Sequence, residues 1–281
     1  MRRALFNLTA LALCATPLSA QSVDSLIAKY VQASGGLARL QALQTLRRTG
    51  KYTGGGGFEA VVVQENKRPN SVREEFSIQG MTGINAYDGK NGWKIEPWNG
   101  KRDPESLGED EMHGILDDAD FDGPLVNYQA KGNRVEYQGV EQIEGSDAYK
   151  LKVTRPNGDV SFYYLDTEFY VPIRIDTQRM IRGAPQEFET SLGDYKQVNG
   201  VYLPFSSESG PKGSSSTDRG KITYEKIEAN VPLDTQRFTR PGARPLTHYS
   251  YCFWCSSKRQ RSRWTRRRFP ASAHATSAPP R

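Results

Sequence analysis

The stretch DDADFDGPLVNY, residues 117–128, contains a D-x-D-x-D-G run. Asp118, Asp120 and Asp122 stand at the first, third and fifth positions of a calcium loop. Gly123 stands at the sixth, where such a loop turns sharply. Carboxylates at this alternation suit a hard cation. The twelfth position should supply a bidentate Glu but is Gln129. Pro124 takes the seventh position, and the run behind it reads as a strand where a calcium loop would lead into a helix. The stretch is therefore expected to be an acidic turn after a helix, with no metal site.

Other reactive groups are sparse. Cys252 and Cys255 have C-x-x-C spacing, but no second Cys pair or helix-borne His accompanies them. His113 is the one His between residues 21 and 241, and it reads as a helix-surface residue. That span has no H-E-x-x-H, no G-x-S-x-G and no Cys nucleophile. The run Gly54–Gly57 lacks the Gly-Lys-Ser/Thr ending of a phosphate loop. Acids fall on alternating strand positions, where charge solubilises, although a glycosidase carboxylate pair stays open. No catalytic residue or cofactor is assigned, and the chain is not expected to be an enzyme.

The segments that must position any site differ in composition. Residues 1–20 read as a secretory signal: Arg2 and Arg3 come first, then a largely apolar run, then the small-residue site before Gln21. Cys14 follows Leu13, where a lipobox has a small residue, so lipidation is not expected. Residues 242–281 carry nine Lys/Arg and no acid. The net charge of +6 therefore resides in the ends, the body is mildly acidic, and no nucleic-acid partner is expected. The tail composition fits a disordered segment or a shifted reading frame. The body, residues 21–241, has no Cys and must rely on a buried core.

Within the body, SVDSLIAKYVQASGG predicts a helix with Leu26, Ile27, Tyr30 and Val31 on one face, followed by a short second helix. PESLGEDEMHGILDDA predicts a third, with Pro104 near its start. The rest alternates at period two between Gly, Asn and Pro breaks, and RPNGD marks a hairpin. About eleven strands result. The reading is a mainly β, mostly antiparallel domain with helices against one sheet face.

Two short motifs remain: KRPN at Lys67, Arg68, Pro69 and Asn70, then DGKNGWKIEP, with Asp88, Gly89, Trp93 and Pro97. Their order and spacing, with the closing ITYEKIEANVPLDTQRFTRP, resemble the LolA-like outer-membrane lipoprotein-sorting carriers over residues 22–241. The resemblance implies an incomplete antiparallel β-barrel with helices covering its concave face. It implies a monomeric periplasmic carrier that holds the acyl chains of lipoproteins, or a related lipid, and meets inner- and outer-membrane sorting partners transiently. It further implies that Arg68 latches a helical lid and that Val72, Phe76 and Ile78 face the lipid cavity. A second reading is an exported β domain, not a carrier, that binds calcium or a protein partner.

Overall fold

The computed structural model describes residues 22–242. The signal reading, Cys14, Cys252, Cys255 and the basic tail beyond Gly242 lie outside the described residues.

Two helices lead. Helix α1 (Val23–Ala33) is capped by Ser22, whose side chain accepts from the Ser25 N–H, and α2 is Leu37–Ala42. Strands β1 (Thr45–Thr53), β2 (Glu59–Lys67), β3 (Ser71–Ile78), β4 (Met81–Tyr87), β5 (Gly92–Glu96) and β6 (Lys101–Ser106) follow as successive hairpins. Helix α3 (Glu109–Ala119) interrupts them. Strands β7 (Arg134–Ile143), β8 (Ser146–Thr154), β9 (Val160–Asp166), β10 (Pro172–Ile181), β11 (Ala184–Val198), β12 (Val201–Pro211) and β13 (Gly220–Ala229) complete the chain order.

All thirteen described strands join one antiparallel sheet, β6-β5-β4-β3-β2-β1-β13-β12-β11-β10-β9-β8-β7. The last strand lies beside the first, and β6 and β7 are free edges, so the curved sheet does not close. Strand β6 and the division into β8 and β9 at Pro156–Gly158 raise the count above the eleven runs read from sequence. Strand β6 takes Pro104, which the sequence reading placed in the third helix. On an edge strand the missing proline N–H is not needed. Helix α3 starts after Gly108 instead, and Glu111 accepts from the Gly108 N–H at 2.8 Å. The strand expected after Pro124 is a series of turns, and its Leu125 and Val126 are buried.

The core lies on the concave face. Leu26 and Ile27 of α1 pack with Leu125, Leu151, Val153 and Leu165. Leu40 and Leu43, at the end of α2, pack with Leu46, Val201, Phe205 and Ile227. Gly35 lets α1 turn into α2 against the sheet: its φ is 117°, and a Cβ there would collide with the Gly200 carbonyl.

Candidate functional site

Strands β1 to β4 pair in register, so alternate residues share the concave face: Leu46, Arg48 and Tyr52; Asn66, Gln64 and Ala60; Val72, Glu74, Phe76 and Ile78. Along this face the chemistry changes in three steps.

At one end the face is sealed. Val72 is fully buried and packs with Tyr87, Ile115 and Ala119, beneath α3. At the other end it opens into an apolar pocket of about 590 Å³, lined by Phe76, Ile78, Tyr52, Phe58, Met81 and Trp98. Tyr52 meets Phe58 and Phe76 edge to face, with ring centroids 6.0 and 6.2 Å apart. The Trp98 indole lies over Gly83, where any Cβ would strike the ring. Of the three residues expected at the cavity, Phe76 and Ile78 thus line the open pocket, and Val72 lies under α3.

Between the two ends runs a polar row. Arg48 Nη1 donates to Gln64 Oε1 at 3.0 Å and to Asn66 Oδ1 at 2.6 Å, and Gln64 Nε2 donates to Glu74 Oε1 at 2.6 Å. Tyr224 OH reaches Gln64 Oε1 at 3.4 Å, and burial pushes its phenol up to about 12. Burial also holds the Glu74 carboxyl above the ordinary range. Water reaches the Asp118 side chain, yet protein surrounds it. That enclosure, with the facing Glu74 and Asp117 charges, raises its carboxyl well above the usual value. The sequence reading took strand acids as a class to be solvated and singled out neither Gln64 nor Glu74. Alternation cannot show that the face they share is the covered one.

The covering elements are strapped down by charge. Arg68 leaves the end of β2 and reaches α2: its Nε donates to the Leu43 carbonyl at 2.6 Å and its Nη2 to the Leu40 carbonyl at 2.9 Å. The same guanidinium grips Asp122 in both of its oxygens and lies 4.4 Å from the Phe121 ring centroid. The acidic stretch, read from sequence as an acidic turn after a helix, supplies Arg68 with its partner. Two of its other carboxylates are also engaged. Asp120 pairs with Lys131, and Asp117 with Arg155 and Arg179. Among the described residues no cluster of His, Cys, Asp or Glu could hold a metal ion. Asn66 Nδ2 donates to the Asp118 carbonyl at 2.7 Å, fixing the end of α3 to β2. His113 is no plain surface residue: it is half-buried, with Nδ1 2.8 Å from Asp159 Oδ2.

The remaining motif residues build turns and the convex face. Asp88 Oδ1 accepts from the N–H groups of Lys90 and Asn91. Gly89, at φ 98°, passes against the Asn70 amide. Pro97 opens the short turn that carries Trp98. Lys67 Nζ donates to the Leu233 carbonyl at 2.8 Å, and the arginine that follows it precedes Pro69 through a cis peptide bond. Trp93 is buried on the convex face, where its Nε1 donates to the Phe238 carbonyl at 2.7 Å.

No family model matches the sequence, and no curated protein matches it. Solved structures share the fold. A DUF1329 family protein from Desulfovibrio piger superposes with a TM-score of 0.56 at 12% identity, covering 77% of this chain and 97% of that one. An outer membrane lipoprotein-sorting protein domain from Vibrio parahaemolyticus gives 0.54 at 11% identity, with the same coverage. A LolA superfamily protein from Nitrosomonas europaea gives 0.51 at 12% identity, again with 77% and 97% covered. This chain shares the fold of these three structures.

Proposed function

We propose that the protein is an envelope carrier that shields the acyl chains of a lipoprotein, or of a related lipid, and delivers them toward the outer membrane. The observation that carries this reading is the apolar pocket of about 590 Å³ around Phe76 and Ile78, on the concave face of a sheet that stays open. Its size lies within the usual range for small-ligand sites. Each methylene moved from water into such a pocket gains about 0.8 kcal/mol, so a soluble protein can hold a chain that would otherwise partition into a bilayer. The fold shared with an outer membrane lipoprotein-sorting domain supports the same cargo class.

A carrier must also let go. Arg68 suits a reversible latch because its fixed donors grip the Leu40 carbonyl of α2, the Leu43 carbonyl just after it and one carboxylate at once, and none of these bonds is covalent. The deciding experiment is transfer of a bound fluorescent lipid or lipoprotein from the protein to acceptor membranes, with the loaded state verified by mass spectrometry. A purified protein that neither retains lipid nor accepts it from donor vesicles would end this reading.

A further inference from the structure

Helix α3 is fastened to both halves of the open sheet, and most of its fastenings are titratable. On one side Lys94 of β5 pairs with Glu111. On the other, the Arg182 N–H donates to Asp110 at 3.1 Å, Asp159 meets His113, and Arg155 and Arg179 hold Asp117. Ile115 and Ala119 pack over Val72 and Tyr87.

The last turn is held differently. Asp118 faces Glu74 of β3, and no cation joins them. Glu74 accepts a hydrogen bond from Gln64 at 2.6 Å and forms no ion pair among the described residues. The Asp118 carboxyl has no hydrogen-bond or ion-pair partner among the described residues. Arg48 directs its Nη1 to Gln64 and Asn66, and Arg179 is committed to Asp117. The bond that ties this turn to the sheet is a neutral one, from Asn66 Nδ2 to the Asp118 carbonyl at 2.7 Å.

We propose that the Asp118–Glu74 carboxyl pair is a pH switch on α3: a proton on the pair in mild acid seats the last turn of the helix, and loss of that proton loosens it and uncovers the Val72 end of the concave face. The device goes beyond the carrier reading and does not depend on what the cavities hold.

Two facing carboxyls with no counter-ion resist ionising together. Burial raises both in the seated helix, and the Glu74 and Asp117 charges raise Asp118 further. A helix turn freed from the sheet lets both return toward the ordinary range. The seated form therefore binds the proton more tightly than the loosened form. Seating by this pair is fullest below the ordinary carboxylate range. It falls as pH rises through the raised values and stays at its lower level above them.

The other groups around α3 set the limits of the window. Burial raises Asp117 as well, against Arg155 and Arg179. His113 gains charge toward Asp159 as pH falls past neutrality, which adds to seating. Glu111 acts in the opposite sense. Against burial, the bonds from Lys94 and the Gly108 N–H hold it below the ordinary range, so that contact is lost only in stronger acid. Asp120, just after the helix, is held by Lys131. Burial pushes the Tyr87 and Tyr224 phenols up, and both stay neutral. The helix is thus held best in mild acid.

The test is hydrogen–deuterium exchange of the full chain at about pH 5.5 and about pH 8.5, corrected for the intrinsic pH dependence of exchange. The amides of Ile115 to Asp120 lose protection by about tenfold at the higher pH, while those of β12 keep theirs. Asp118→Asn and Glu74→Gln each retain the acid level of protection at the higher pH, and their places on separate elements cover the case in which one folds poorly. His113→Gln lowers protection in acid and keeps a pH dependence. Equal protection of the helix at both pH values in wild type overturns the switch, as does a loss shared with β12. A pH dependence kept in Asp118→Asn and Glu74→Gln but abolished in His113→Gln overturns the carboxyl pair and moves the response to His113 and Asp159.

Discussion

Arg68 and Asp122 meet edge to edge: Nη1 lies 2.8 Å from Oδ2, and Nη2 lies 2.5 Å from Oδ1. They are 54 residues apart in the chain, one after a strand and one after a helix. Both side chains are largely shielded, so the pair is short, bidentate and hard for water to replace.

Arg68→Leu should therefore cost about 2–4 kcal/mol. That is below the fully buried limit, because some solvent reaches both side chains. Asp122→Asn keeps one oxygen as an acceptor and should cost less, about 1–2 kcal/mol. Urea unfolding followed by circular dichroism measures both. Equal losses from the two substitutions would show that the carboxylate, and not the Leu40 and Leu43 carbonyls, carries the contact.

Glu74 gives a pH signature. Its carboxyl is raised in the folded protein, so the folded state binds a proton more readily than the unfolded chain does. The charged form thus costs stability above the folded value, and that cost is relieved as pH falls through it. Glu74→Gln keeps an acceptor for Gln64 and should raise the melting temperature at neutral pH by about 1–3 °C. The gain should fade in acid, where Glu74 itself is neutral. A gain that persists unchanged at low pH would point to packing and not charge.

Gly83 controls the wall of the Phe76 pocket. A Cβ at this position must displace the Trp98 ring. Gly83→Ala should weaken binding of a fatty-acid probe at that pocket by about tenfold, equivalent to about 1.4 kcal/mol. Trp98→Ala removes the obstruction, so the double variant should not be weaker than Trp98→Ala alone. An additive loss in the double variant would separate Gly83 from Trp98.

The convex face depends on the closing segment. Phe238 is fully buried, and Arg237 and Arg47 both pair with the nearly inaccessible Glu65. Phe238→Ala should cost about 3–5 kcal/mol by leaving a cavity. A chain ending after Gly242 keeps all of these contacts and should melt at the same temperature as the full protein. Differential scanning calorimetry on both chains decides the point.

Much of the architecture was legible because its causes are local. The buried face of α1 follows from the spacing of Leu26 and Ile27, and the turn at Pro156–Gly158 from its residue types. Two elements misled for physical reasons. Pro104 suits the first turn of a helix and an edge strand equally well. A short apolar run such as Leu125–Val126 reads alike in a strand and in a buried turn. The site divided the same way. The KRPN motif singled out Arg68, but no local signal pairs it with Asp122, because only the folded sheet brings β2 to the turn after α3. The opening between the first helix and residues 166–202 was invisible for the same reason: Phe169, Leu192 and Tyr202 come from three separate stretches of chain.

An open barrel leaves two edges, each a template for strands of other chains. Strand β6 blunts its own. Pro104 has no N–H to offer a passing strand, and Arg240 bonds to the Pro104 carbonyl and to the Ser106 hydroxyl. Strand β7 relies on Arg134, Glu136 and Glu141 and on an irregular register between Tyr137 and Gly139. The shape that lets this protein keep a cavity accessible would otherwise invite edge-to-edge polymerisation, and these few residues guard against fibre growth.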